Sequence, residues 1–117
     1  TGAEASKAFR SPGGNYHGDI IWNLQPYVTS EIGWNVDTED WRRPGVDAIA
    51  QRIESAKSGD IILMHDGGGP RSQTIEALRI ALPYLREQGF KFVTIDELLA
   101  YDDAKAIAQS LEEAQGQ

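Results

Sequence analysis

His65 stands where a catalytic group would be expected. It closes the apolar run Ile61-Ile62-Leu63-Met64 and is followed by Asp66 and Gly67-Gly68-Gly69. In α/β folds, active sites sit at the C-terminal ends of parallel strands. The structural alternative is a half-buried, hydrogen-bonded histidine ending a core strand. A second polar cluster, Asp37-Thr38-Glu39-Asp40-Trp41, follows the alternating stretch Ile32-Gly33-Trp34-Asn35-Val36. One of these carboxylates could orient a histidine, with Trp41 as an aromatic wall beside it. The acids could equally cap a turn. Arg10 precedes the turn Ser11-Pro12-Gly13-Gly14-Asn15. Its guanidinium could hold a carboxylate by paired hydrogen bonds, or simply be a solvated charge.

These residues need elements to carry them. Ala8-Phe9-Arg10 reads as a short strand after a frayed lead-in, Thr1 to Lys7. Asp19 to Tyr27 reads as a short helix that Pro26 ends. Glu31 to Val36 has the period of a strand. Pro44 suits a first helical turn, and Val46, Ile49 and Ile53 then recur at helical spacing as far as Lys57. Gly59 ends that unit, and Asp60–His65 is long enough for a buried strand and too short for a helix. Ser72 is placed to cap a long helix with Ile75, Leu78, Leu82 and Leu85 on one face, kinked at Pro83 and closed by Gly89. Phe90 to Ile95 reads as a further strand. Thr94-Ile95-Asp96-Glu97 has the capping-box pattern of a short helix through Leu99, and a weak terminal helix on Ile107 and Leu111 follows. Strands alternating with helices imply an α/β fold with a parallel sheet or barrel and helices outside. Parallel strands would bring Arg10, Asp37 with Asp40, and His65 to one rim.

Composition narrows the class. A chain of 117 residues suits one domain, and 40% hydrophobic with 25% charged residues is ordinary for a water-soluble fold. The net charge of −7 argues against a nucleic-acid or anionic-membrane partner. No apolar run approaches a membrane span and no signal peptide is evident, so no membrane insertion is expected. Without cysteine there is neither disulfide nor thiolate metal site. The chain opens Thr1-Gly2-Ala3 rather than with methionine, as a processed product or an excised segment would. The glycines 67–69 lack the spacing and lysine of a P-loop, which disfavours phosphate handling.

Three stretches together resemble one family. Phe9-Arg10-Ser11-Pro12-Gly13-Gly14 resembles the third motif of the polysaccharide deacetylase family, the NodB-homology or carbohydrate esterase domain. Val36-Asp37-Thr38-Glu39-Asp40-Trp41 resembles its fourth motif, and Ile62-Leu63-Met64-His65-Asp66 its fifth. Phe92 through Leu99 is similar to the strand and helix that close the domain. The resemblance runs from Phe9 to about Leu99 and implies the C-terminal half of a distorted (β/α)7 barrel. Residues 1–101 would be that part of the domain, and 102–117 an acidic terminal helix or tail.

The resemblance implies hydrolysis of acetyl groups on N-acetylglucosamine polymers such as peptidoglycan or chitin, or on acetylated xylan. It also implies a divalent metal, zinc or cobalt, held by an aspartate and two histidines of the first and second motifs. Those motifs are absent here, and His17 matches no ligand position. The N-terminal half, with the metal and the aspartate general base, is therefore expected as a second chain, by nicking or separate encoding. Alone, this chain is expected to be inactive, with open sheet edges. The location implied is the bacterial cell surface or exterior.

By the same resemblance His65 is the general acid, with Asp40, or alternatively Asp37, favouring its charged form. Arg10 would hold the absent base aspartate. The Gly13 N–H would face the oxyanion. Gly13 stands where the family usually has tyrosine, which would open the groove lined by Gly13 and Gly14. Leu63 would line the acetyl-methyl pocket, and Trp41 a wall of the sugar groove. The competing reading is a non-catalytic, carbohydrate-binding or structural remnant of the domain.

Overall fold

The computed structural model describes residues 4–14 and 30–115. The expected helix Asp19–Tyr27 and the loop histidine His17 lie outside the described residues. In chain order the elements are β1 (Ala8–Phe9), a 3-10 turn (Pro12–Gly14), β2 (Ser30–Glu31), β3 (Val36–Asp37) and a second 3-10 turn (Asp40–Arg42). There follow α1 (Val46–Glu54), β4 (Ile62–Leu63), α2 (Ser72–Glu87) and α3 (Ile95–Gln115). They form two compact units: Thr1–Ile32 with Phe92–Gln117, and Gly33–Lys91.

The Gly33–Lys91 unit is built on two helices. Val46, Ile49, Ala50 and Ile53 fall on one face of α1, and Ile49, Ala50 and Ile53 are buried. They form one apolar cluster with Ala77, Ala81 and Leu85 of α2. Alanines at the contact let the helices approach closely enough for the isoleucines to be fully enclosed. The inward row of α2 is therefore Thr74, Ala77, Ala81 and Leu85, with Leu78 packed beside it; of the four residues that the spacing favours, Leu85 and Leu78 pack inward. Ile75 and Leu82 face outward, at 52% and 37% exposure. Pro83 lies inside α2, which runs from Ser72 to Glu87 through it.

Helix ends also depart from expectation. Arg71, not Ser72, holds the N-cap position of α2, without a side-chain cap bond. α1 starts after Gly45 and stops at Glu54, short of Lys57. The end of α2 follows the glycine rule. Gly89 sits at φ 91°. Its N–H donates to Arg86 O at 3.0 Å and that of Phe90 to Leu85 O at 3.1 Å. These paired bonds make a Schellman closure that needs a left-handed residue.

Removing the Ile53 side chain to alanine is expected to destabilise this unit by about 2–5 kcal/mol in chemical unfolding, through lost burial and a cavity. A loss of only about 0.5 kcal/mol, the range of surface substitutions, would contradict this core.

β3 and β4 pair in parallel, Val36 opposite Ile62 and Asp37 opposite Leu63. Asn35 pins the register. Its Oδ1 accepts the Ile61 N–H at 3.0 Å. The N–H groups of Asn35 and Val36 both donate to Ile61 O, at 2.9 and 3.1 Å. Met64 and Ile62 pack against the helix cluster.

In the other unit β1 and β2 pair in parallel, Ala8 opposite Ser30 and Phe9 opposite Glu31. Thr94 and Glu97 form the expected capping box: the Glu97 N–H donates to Thr94 Oγ1 at 3.2 Å, and the Thr94 N–H to Glu97 Oε1 at 3.3 Å. The helix it starts runs on to Gln115 rather than stopping near Leu99. Ile107 and Leu111 are exposed on it.

Strand expectations are corrected. Of Asp60–His65 only Ile62–Leu63 is strand. Glu31 to Val36 is not one strand but two stubs, Ser30–Glu31 and Val36–Asp37, separated by a bend at Asn35. Phe90 to Ile95 forms no strand. Alternation supplies a strand's faces, but a strand exists only with a partner for its backbone groups. Phe92 and Val93 accordingly stand about half exposed. The α/β class and parallel pairing hold among the described residues, as two two-stranded pairs.

Candidate active site

The β3–β4 register brings two chain segments together just past the strand ends. Asp37 lies opposite Leu63. Asp40 and His65, a few residues further on, meet. Asp40 Oδ1 is 2.7 Å from His65 Nδ1. Asp40 Oδ2 accepts the His65 backbone N–H at 2.8 Å and the Thr74 hydroxyl at 2.9 Å. Asp40 is 1% exposed, whereas the His65 side chain is 39% exposed.

The turn carrying Asp40 explains this placement. Glu39 and Arg43 flank it with φ of 51° and 54°, left-handed values uncommon for non-glycine residues. Such residues cost about 1–3 kcal/mol each and persist where surrounding contacts over-determine them. The contacts here are specific. The Asp37 carboxylate accepts the Glu39 N–H at 3.0 Å, and the Arg43 N–H donates to Asp40 O at 2.9 Å. Thr38, fully buried, donates its hydroxyl to Leu63 O at 2.8 Å. Its own carbonyl accepts from Arg52 Nη1 at 2.6 Å. The turn thus sends Asp40 inward and leaves the next residue, Trp41, 50% exposed. The Arg42 guanidinium lies 4.8 Å from the Trp41 ring centroid, within cation–π range.

Burial acts to raise the Asp40 pKa. The bonds from the His65 ring, the His65 N–H and the Thr74 hydroxyl, with the charge attraction of His65, outweigh it and hold the carboxyl below its ordinary value. Asp40 is therefore ionised at neutral pH and can only accept hydrogen bonds. A neutral His65 facing it must carry its proton on Nδ1, so Nε2 is the ring nitrogen that Asp40 does not engage. This assignment follows from the bonding pattern. A buried carboxylate bonded to a half-exposed imidazole is an arrangement that can transfer protons.

Of the two acids the sequence left open, Asp40 is bonded to His65, and Asp37 closes the turn. Trp41 is not a core residue. Leu63 is half-buried in β4 rather than buried. After His65 the chain turns through Gly68 and Gly69, at φ 78° and 137°, and Arg71 Nε bonds Gly67 O at 2.9 Å.

Arg10, Gly13 and Gly14 belong to the other unit. Arg10 Nε donates to Ile32 O at 3.1 Å. The Ser11 hydroxyl donates to Glu31 Oε1 at 2.8 Å. Gly13 and Gly14 turn at φ 69° and 70°, which suits glycine and would strain a larger residue.

Thr74, Thr38 and Arg52 escape the sequence reading. Thr74 had a signal: it is the polar member of the inward row Thr74–Ala77–Ala81–Leu85. Among the described residues no three His, Cys, Asp or Glu side chains gather into a metal-binding group.

No family model matches the chain. It is 47% identical over 97 residues to a peptidoglycan-N-acetylglucosamine deacetylase of Bacillus cereus, covering 80% of this chain and 45% of that protein. It is 36% identical over 99 residues to a chitooligosaccharide deacetylase of Sinorhizobium fredii, covering 74% of this chain and 46% of that protein. Among solved structures it is similar to a carbohydrate esterase family 4 pseudoenzyme from Bacillus anthracis, with a TM-score of 0.67 and 38% identity over 79% of this chain and 32% of that one. The chain spans about half the length of the curated relatives it matches.

Proposed function

The chain belongs to the polysaccharide deacetylase (NodB-homology, carbohydrate esterase) family, and from that premise we propose that it is the C-terminal part of an enzyme that hydrolyses N-acetyl, or O-acetyl, groups of a carbohydrate polymer. The observation that carries this reading is the Asp40–His65 pair, with the carboxylate buried and the imidazole half-exposed. Removing an acetyl group from an amino sugar requires a proton for the departing nitrogen. His65 supplies it from Nε2, while Asp40 holds Nδ1–H and balances the imidazolium charge.

The remaining roles follow the resemblance. Arg10 holds a base carboxylate from the complementary half, and the Gly13 N–H serves the oxyanion beside Gly14. Leu63 contacts the acetyl methyl. The exposed face of Trp41 suits the C–H surface of a sugar ring. Asp37 supports the site by closing the turn under Asp40. By the resemblance, the donors for a divalent metal, zinc or cobalt, lie in the complementary half.

Residues 1–101 are the part of this chain that belongs to the deacetylase domain, and 102–117 are an acidic extension. The partners are the N-terminal half and the polysaccharide, with peptidoglycan favoured by the Bacillus cereus relative. That polymer supports a location at the bacterial cell surface or outside it. Among the described residues no helix is long and apolar enough to cross a membrane.

Co-expression with the complementary half tests this reading by native mass spectrometry, metal analysis and deacetylation of an N-acetylglucosamine oligomer. A metal-loaded complex that releases acetate is expected. A complex that binds the oligomer and releases none would favour the non-catalytic remnant, a reading to which the pseudoenzyme similarity lends weight.

A further inference from the structure

Thr74 is 4% exposed and lies in the first turn of α2, in a row otherwise made of Ala77, Ala81 and Leu85. A hydroxyl buried there is costly unless bonded. Its bond is to Asp40 Oδ2 at 2.9 Å. The direction is unambiguous, because an ionised carboxylate only accepts. The neighbouring Gln73 makes a second tie from the same turn, its Oε1 accepting the Gly45 N–H at 2.9 Å. The start of α2 is thereby fastened both to the site carboxylate and to the start of α1.

The two oxygens of Asp40 do different work. Oδ2 receives the Thr74 hydroxyl and the His65 backbone N–H. Oδ1 faces His65 Nδ1. With Oδ2 held by two donors from different elements, the carboxylate plane cannot rotate without breaking a bond. Without the hydroxyl, one backbone N–H remains on Oδ2, and the plane gains freedom to turn Oδ1 away from Nδ1.

We propose that Thr74 is a positioning residue for the Asp40–His65 pair: its hydroxyl fixes the Asp40 carboxylate so that neutral His65 is held as the Nδ1–H tautomer. The consequence for turnover rests on the deacetylase reading, but the tautomer does not, so the two can fail separately.

The test uses the ¹⁵N-labelled chain and long-range ¹H–¹⁵N spectra of the neutral His65 ring, assigned with His65→Ala. Wild type and Thr74→Ser are expected to show Nδ1–H alone. Thr74→Val, which keeps the shape, and Thr74→Ala are expected to lose that single tautomer for a mixture with Nε2–H. Folded Val or Ala variants with the wild-type tautomer would overturn the proposal, as would a Ser variant that behaves like Val. A wild-type ring already in the Nε2–H form would also overturn it. If neither hydroxyl-free variant folds while Thr74→Ser does, Thr74 is a folding residue only and the proposal fails.

Discussion

On the proposed deacetylase reading, turnover of an acetylated glucosamine oligomer by the chain together with its complementary half is expected to fall about 100- to 10,000-fold when His65 is replaced by alanine. That is the usual contribution of a positioned general acid. The loss should fall on kcat more than on KM, because proton donation matters most as the carbon–nitrogen bond breaks. The substitution leaves the backbone N–H of residue 65 and the Thr74 hydroxyl in place on Asp40 Oδ2, and removes only the partner of Oδ1. The stability cost of an orphaned buried acceptor is about 1–3 kcal/mol, so unfolding must be measured beside activity. A folded variant that keeps turnover within about threefold would remove His65 from the chemistry.

Asp40→Asn is expected to act on the same site from beneath. An asparagine can satisfy the two donors at Oδ2 with its carbonyl, which places its NH₂ against His65 Nδ1. That nitrogen must then accept, and the proton moves to Nε2. The imidazolium also loses its counter-charge. Turnover is expected to fall about 100- to 10,000-fold, and stability at neutral pH by about 1–3 kcal/mol.

The pH dependence has a definite sign. The folded Asp40 carboxyl titrates below its ordinary value of 3.8. Its bonds therefore stabilise the fold at pH values above the unfolded pKa, and this part is lost as pH falls through the lower, folded value. Urea midpoints at about pH 7 and about pH 3 should diverge more for the wild type than for Asp40→Asn. Equal acid sensitivity in both would mean that Asp40 does not carry this linkage.

Much of the site was legible because its signals are local. The apolar run ending in His65, the acids after Val36 and the glycine turns each announce themselves within a few residues. The Thr94–Glu97 box and the Gly89 closure formed as their residue types dictate, since each involves backbone groups within one helical turn. Strand extent was less legible. Phe90 to Ile95 has the apolar residues of a strand but pairs with no strand among the described residues, and Glu31 to Val36 breaks at Asn35, whose side chain is spent on Ile61. The working face of α2 was legible in part: Leu78 and Leu85 pack inward, but size also suggested Ile75 and Leu82, which face outward. Close approach to Ile49 and Ile53 selects the alanines instead.

The amino-acid order by itself determined the family resemblance, the parallel α/β class and the residue types available at the strand ends, because these are carried by short motifs and periodicity. Only the tertiary structure decided that Asp40 rather than Asp37 meets His65, that Thr74 supports it from a helix 34 residues further along, and that Trp41 faces outward. Those outcomes depend on the β3–β4 register, the left-handed residues around one short turn and the packing of α2 against α1. Such arrangements join residues far apart in the chain, and no local pattern encodes them.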